Sequence, residues 1–204
     1  MTNLLISGGV GTGKSAFVAG LLPLFMQRLV AFSSDVAVDE LYETHVFMRE
    51  LSECLGQEVL KTDDVGSTRV NRQWLRKVVL PDLAKLAKLE KLVHSHVLQA
   101  LDDARLKAKA QSAKVFVAEV PLHYEIGEVI SADLVIVVAA SRSVQVRRMM
   151  DNRGLDEATT RAFLDAQWPI EAKVEKADVV IWNDGDPSAL ERQTLLLANF
   201  LNIE

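Results

Sequence analysis

The chain has 204 residues, 49% of them apolar, a formal net charge of −5 and one cysteine, Cys54. That length accommodates one α/β core with an inserted helical region and does not demand two independent domains. Mild acidity without a Lys/Arg block disfavours nucleic-acid binding through phosphate contacts, a single cysteine excludes an internal disulfide framework and fits a reducing cytoplasm, and no apolar stretch reaches the roughly 20 residues that span a bilayer.

Met1 to Ser7 looks superficially like a secretory leader, but it lacks a basic n-region and Gly8–Gly13 breaks the apolar run. Asn3–Ile6 reads instead as a buried central strand. A glycine-rich turn follows over Gly8–Gly13. Lys14–Arg28 has helical spacing in Phe17, Leu21, Leu24 and Phe25, with Pro23 placed to kink or end the helix. Leu29–Phe32 is a second strand, and Ser33-Ser34-Asp35 is the turn after it. From about Val36 to Ala110 the chain is rich in Leu, Ala, Lys and Glu, has helical periodicity from Leu83 to Leu106, and offers no good strand; Asp63–Val70 reads as a loop. Val115–Val120 and Leu134–Ala139 return to strand character. Helices are expected over Ser141–Met150 and Asp156–Gln167, a last strand over Ala177–Trp182, a turn over Asn183–Pro187 and a closing helix to about Leu201. Strands alternating with helices argue for a parallel sheet flanked by helices, with the long helical stretch as an insertion near the carboxyl ends of the strands.

Gly8-Gly9-Val10-Gly11-Thr12-Gly13-Lys14-Ser15 satisfies G-x-x-x-x-G-K-[ST], after a strand and before a helix, as the motif requires. The glycines let the backbone curl so that successive N–H groups point at phosphate oxygens, and the helix N-terminus adds partial positive charge. Gly9, Gly11, Thr12, Gly13, Lys14, Ser15 and Ala16 are therefore the expected contacts to a nucleotide's phosphates. Lys14 is assigned to the β- and γ-phosphates and Ser15 to Mg²⁺. The absence of an Asn-Lys-x-Asp guanine-reading motif disfavours a GTPase switch.

Two carboxylates lie at strand ends. Asp35, after the second strand, is placed either to take the proton of an attacking hydroxyl or to cap a helix starting near Val36. Glu119 ends the run Val115–Ala118; it suits either a Mg²⁺ shell reached through water or a surface strand end. Arg72 has the geometry to meet an acceptor phosphate. His94 and His96, two apart on a helix, point away from each other and make a poor metal pair. Trp74, Trp168 and Trp182 read as packing residues. Asn183–Gly185 either passes beside an adenine or is simply a turn.

Several segments, in order, resemble the dephospho-coenzyme A kinase family: Gly8–Ser15 for its loop, Ser33-Ser34-Asp35 for its Asp-Ala-Asp turn, Asn71-Arg72 for an Asp-Arg pair, Leu89–Ser95 for Leu-Glu-x-x-x-His-Pro, Glu119–Glu125 for Asp-Val-Pro-Leu-Leu-Phe-Glu, Gln145–Arg148 for Gln-x-x-Arg, then Gln167, and Ala177–Gly185 for Ala-Asp-x-x-Ile-x-Asn-x-Gly. The resemblance covers nearly the whole chain. It implies a P-loop kinase fold with a nucleotide core (1–35, 111–140 and 168–204), a helical acceptor-binding insertion (36–110) and a lid (141–167). It also implies transfer from ATP·Mg²⁺ to the ribose 3′-hydroxyl of dephospho-coenzyme A, the last step of coenzyme A biosynthesis, in a cytoplasmic monomer or small homo-oligomer. Lys14, Asp35 and Arg148 are then catalytic. Arg148 and Asn183 join the loop in nucleotide binding, Arg72, His94 and Pro121 join Asp35 at the acceptor, and Ser15 and Glu119 serve the metal. A cation closing from a lid fits the charge that phosphoryl transfer leaves on equatorial oxygens, and Arg153 is a further candidate. Ser33 for Asp, Ser95 for Pro, Glu119 for Asp, Ala16 for Thr and Asn152 for a second lid Arg depart from the pattern. They keep open a related kinase with another acceptor, or a nucleotide-binding regulator with impaired turnover.

Overall fold

The computed structural model describes residues 1–26, 28–127 and 129–202. In chain order the elements are β1 (Thr2–Gly8), α1 (Lys14–Leu21), β2 (Leu29–Ser33), α2 (Ser34–Leu41), α3 (His45–Leu55), β3 (Leu60–Thr62), β4 (Thr68–Val70), α4 (Arg72–Val79), α5 (Leu83–Ala110), β5 (Val115–Glu119), β6 (Leu134–Ala139), α6 (Arg142–Arg153), α7 (Glu157–Asp165), α8 (Ile170–Val174), β7 (Val179–Trp182) and α9 (Pro187–Asn202). Internal contacts distinguish two compact units, one of residues 34–104 and one of the remaining chain.

The larger unit is built on a five-stranded sheet in the order β2-β5-β1-β6-β7, and all its pairings are parallel. A strand covered on both faces needs apolar residues at every position, not alternation. β1 and β5 meet that demand: Leu4, Leu5, Ile6, Phe116 and Val117 are 0% exposed. Leu4, Ile6, Val117, Ile136 and Val138 pack with Phe17 and Leu21 of α1 and Leu197 and Ala198 of α9. From β1 the chain passes to the edge strand β2, returns to β5 beside β1, and then crosses to β6 and β7 on the other side, so the strand order reverses at β1 and its carboxyl end is the place where open α/β sheets hold ligands. In register, Glu119 at the end of β5 lies beside Ile6 of β1 and Ser33 of β2. α1 is shorter than the periodicity suggests. It ends at Leu21 and passes into a 3₁₀ turn over Leu22–Phe25 that carries Pro23 in its first positions, where a missing N–H costs nothing. At the β7 edge, a side chain occupies the ladder position: the Trp182 N–H donates to Gln193 Oε1 at 3.0 Å, and Gln193 Nε2 donates back to the Trp182 carbonyl at 2.9 Å.

The smaller unit has its own core of Phe47, Leu51, Val59, Leu75, Val79 and Leu89. Thr44 caps α3 by accepting the Phe47 N–H, and Asn71 caps α4 by accepting the Trp74 N–H. One expectation needs correction here, and one of the two readings of Asp35 falls. The stretch 36–110 does contain strands: β3 and β4 form an antiparallel hairpin, so Thr68–Val70 is not loop. Its turn is built by Asp63, whose Oδ1 accepts the N–H groups of Val65 and Ser67, with Gly66 at φ 81°. Asp35 is not an N-cap either; α2 starts at Ser34 and Asp35 stands in its first turn, where a carboxylate still favours the helix dipole.

Candidate active site

The loop between β1 and α1 is held by its own backbone and by residues converging on it. Gly8 leaves β1 at φ 149°, and a Cβ there would lie 2.2 Å from the Val138 carbonyl oxygen. Gly13, the N-cap of α1, has φ 93°; a Cβ on it would come within 2.4 Å of Asn183 Nδ2. Both positions therefore need glycine on grounds of space and of backbone conformation. Inside the curl, Thr12 Oγ1 and Lys14 Nζ both donate to the Gly9 carbonyl, at 2.9 and 2.7 Å. Lys14 is only 9% exposed.

Three side chains grip this loop from elsewhere in the larger unit. Buried Asn183, just past β7, donates to the Thr12 carbonyl at 2.8 Å. Arg148 of α6 donates to the Gly11 and Thr12 carbonyls at 3.3 and 3.4 Å. Gln167 accepts the Val10 N–H at 3.0 Å. Arg148 thus lies against the loop, whereas Arg153 ends α6 exposed to solvent. Beside Asn183, burial acts to raise the Asp184 carboxyl, but the Ser141 amide, Trp182 and Arg148 outweigh it and hold the group below its ordinary value.

At the other end of the loop, Ser15 Oγ donates to Glu119 Oε1 at 2.9 Å, and Glu119 is 8% exposed. No group of three or more His, Cys, Asp or Glu residues is placed to hold a metal among the described residues. Mg²⁺ does not need one: at phosphate sites it takes one or two protein oxygens, with phosphates and waters completing its shell. A hydroxyl and a carboxylate side by side at the loop's end fit that pattern.

Beyond β5, the Pro121 carbonyl accepts from Ser7 Oγ at 3.1 Å and from Lys173 Nζ at 3.2 Å. Tyr124 stacks on Trp168, with centroids 5.9 Å apart and planes 16° apart. Next to it, burial holds the His123 imidazole below its ordinary value; Glu125 acts to raise it and Lys173 to lower it further.

Within the smaller unit, Asp35 is exposed on α2. Arg72 opens α4, pairs with Asp39 at 2.9 Å and covers the Tyr42 ring at 4.7 Å. Burial raises the Tyr42 hydroxyl against the lowering effect of Arg72. Tyr42, Lys61, Arg69 and Arg72 line a cleft of about 290 Å³. His94 is half-buried on α5, and its neighbour His96 pairs with Glu50 at 2.6 Å instead of sharing a metal. Trp74 packs against the smaller unit's core, while Trp168 and Trp182 remain 41% and 44% exposed.

A phosphate-binding loop at the end of a central parallel strand, with an arginine and a strand-end carboxylate beside it, is the equipment of a phosphoryl-transfer site. The family model described as dephospho-CoA kinase matches residues 3–188. The chain belongs to the dephospho-CoA kinase family. Among relatives named dephospho-CoA kinase, that of Syntrophotalea carbinolica is 31% identical over 198 residues, 97% of this chain and 90% of the relative. One from Corynebacterium glutamicum is 33% identical over 186 residues, 91% of this chain and 92% of its own. A crystal structure from Thermus thermophilus matches with a TM-score of 0.78 at 28% identity, covering 98% of this chain and 97% of that one. The chain is therefore a kinase with the nucleotide-binding P-loop fold of the dephospho-CoA kinase family.

The sequence reading missed one charged residue of this site. Lys173 is 0% exposed, although helical lysines are ordinarily solvated. It lies on α8, a five-residue helix too short to leave a periodic signal. Gln167 was legible only through the resemblance; its bond to Val10 has no signature in spacing.

Proposed function

We propose that this kinase transfers the γ-phosphoryl group of ATP to the ribose 3′-hydroxyl of dephospho-coenzyme A, giving coenzyme A and ADP, in the cytoplasm. The observation that carries this reading is the match to relatives named dephospho-CoA kinase over 90% or more of this chain. In the step itself, the hydroxyl oxygen forms a bond to the γ-phosphorus as the bond to the bridging β,γ-oxygen breaks, and the hydroxyl proton passes to Asp35. Lys14 neutralises charge on the transferring group, and Arg148 closes on its equatorial oxygens as part of a lid spanning 141–167. Ser15 and Glu119 would hold Mg²⁺, which when bound offsets charge on the β- and γ-oxygens. The insertion 36–110 takes the acceptor, with Arg72 on one of its phosphates and His94 and Pro121 in contact with the remainder.

A long acceptor brings binding energy from parts remote from the reacting hydroxyl, which a truncated one loses in kcat as well as in affinity. With ATP·Mg²⁺ supplied, dephospho-coenzyme A is expected to exceed AMP, dAMP, gluconate and shikimate in kcat/KM by a wide margin, product identity being read by mass. A higher value for any of the others overturns the acceptor assignment. ATP binding without turnover on any of them would favour a regulatory protein.

A further inference from the structure

Buried Lys173 and half-buried Glu125 form an ion pair to which the transfer reaction gives no part. Lys173 Nζ meets Glu125 Oε1 at 2.6 Å and donates to the Pro121 carbonyl at 3.2 Å and the Gly8 carbonyl at 3.5 Å. An ammonium has three N–H groups, and these three acceptors match them. Glu125 Oε1 accepts in addition the backbone N–H of Trp168 at 3.0 Å. The preceding residue, Gln167, accepts the Val10 N–H at 3.0 Å. Hydrogen bonds and chain together close a circuit: Gly8 to Lys173, Lys173 to Glu125, Glu125 to Trp168 and Gln167, Gln167 back to Val10. The circuit fastens the first and third residues of the phosphate-binding loop.

Stability alone does not account for such a pair, since an apolar pair of similar volume serves a core as well or better. Its position is more informative, because the circuit closes where the loop leaves β1. We propose that Lys173 and Glu125 are a positioning pair that fixes the path of Gly8–Val10, with Gln167 as its second anchor. The loop N–H groups are thereby aimed at nucleotide phosphate before it arrives, the condition under which such donors act at full strength. This inference rests on the nucleotide half of the proposed reaction and not on the identity of the acceptor.

The test separates positioning from stability by measuring both. Lys173→Met, Glu125→Gln, the double variant and Gln167→Ala are compared with wild type in thermal unfolding and in calorimetric titration with ATP·Mg²⁺. Lys173→Met alone should lose stability, because half-buried Glu125 is left charged and without its cationic partner. The double variant should regain most of the melting temperature yet bind ATP about tenfold more weakly, since a loop displaced by a fraction of an ångström no longer meets its ligand. Gln167→Ala should keep its melting temperature and also weaken ATP binding. A double variant that recovers both properties shows a pair that only stabilises the fold and overturns the proposal. If the double variant does not fold, Gln167→Ala decides: wild-type ATP affinity there overturns it. Wild-type chain that binds ATP but leaves dephospho-coenzyme A untouched would count against the acceptor alone.

Discussion

The two units hold their candidate residues in different ways. In the larger one, Lys14, Arg148, Asn183 and Gln167 are tied to backbone groups of a single loop, and most of these contacts are buried or half-buried. In the smaller one, Asp35 is exposed, and Arg72 is held by an exposed carboxylate and an aromatic face. The contrast matches what the proposed reaction would have each unit hold. A triphosphate presents the same few oxygens in every turnover, so a cradle of fixed donors loses nothing by rigidity. A long acceptor is met by side chains that keep rotamer freedom, at the cost of ordering them on binding.

Substituting one residue from each side would test that contrast. Lys14→Ala should have the largest effect, lowering kcat by about 10³-fold, as expected when a main donor to developing charge is lost. It should also weaken ATP binding while the unfolding temperature stays near wild type. Turnover close to wild type would remove the loop from the chemistry. Asp35→Asn should lower kcat by about 10²-fold, a usual value for loss of a general base, with ATP affinity unchanged. An equal loss in ATP affinity would erase the division between the two sides, and an unchanged kcat would make Asp35 a contributor to its helix only.

The smallest effect is expected at His123, where the family pattern has Leu. Burial lowers the folded-state value below the ordinary 6.5, so the unfolded chain takes up a proton first. The folded state must then lose stability as pH falls through about 6.5, until the folded imidazole also titrates. Neighbouring Glu125 opposes this shift and Lys173 reinforces it. His123→Leu should therefore melt less acid-sensitively than wild type between about pH 7 and pH 5, with kcat nearly unchanged. Parallel melting curves across that range would show that the imidazole titrates as it does in the unfolded chain.

The sheet was legible because a parallel core demands unbroken apolar runs, and β1, β5 and β6 have them. The loop was legible because its conformation admits so few residues. The hairpin β3–β4 escaped notice for the opposite reason: three residues per strand are too few for alternation to register, and all of β4 fell within the stretch Asp63–Val70 that reads as loop. Lys173 was invisible because its burial depends on acceptors at Gly8, Pro121 and Glu125, brought together only by the sheet. Asp35 was located correctly after β2, and the cap stayed open beside the proton-accepting reading because an Asp in the first turn and an Asp at the cap look alike in sequence.

The Gln193 amide at the open edge of the sheet has a bearing on how the protein behaves at high concentration. β7 carries Val180 and Trp182, 37% and 44% exposed, and a bare strand edge of that kind is a template for pairing with another chain. By offering both an acceptor and a donor to Trp182, one side chain from α9 imitates the sixth strand that the fold lacks. A second chain approaching this edge would therefore find the Trp182 backbone groups already engaged, by a residue far in sequence and role from the phosphate loop.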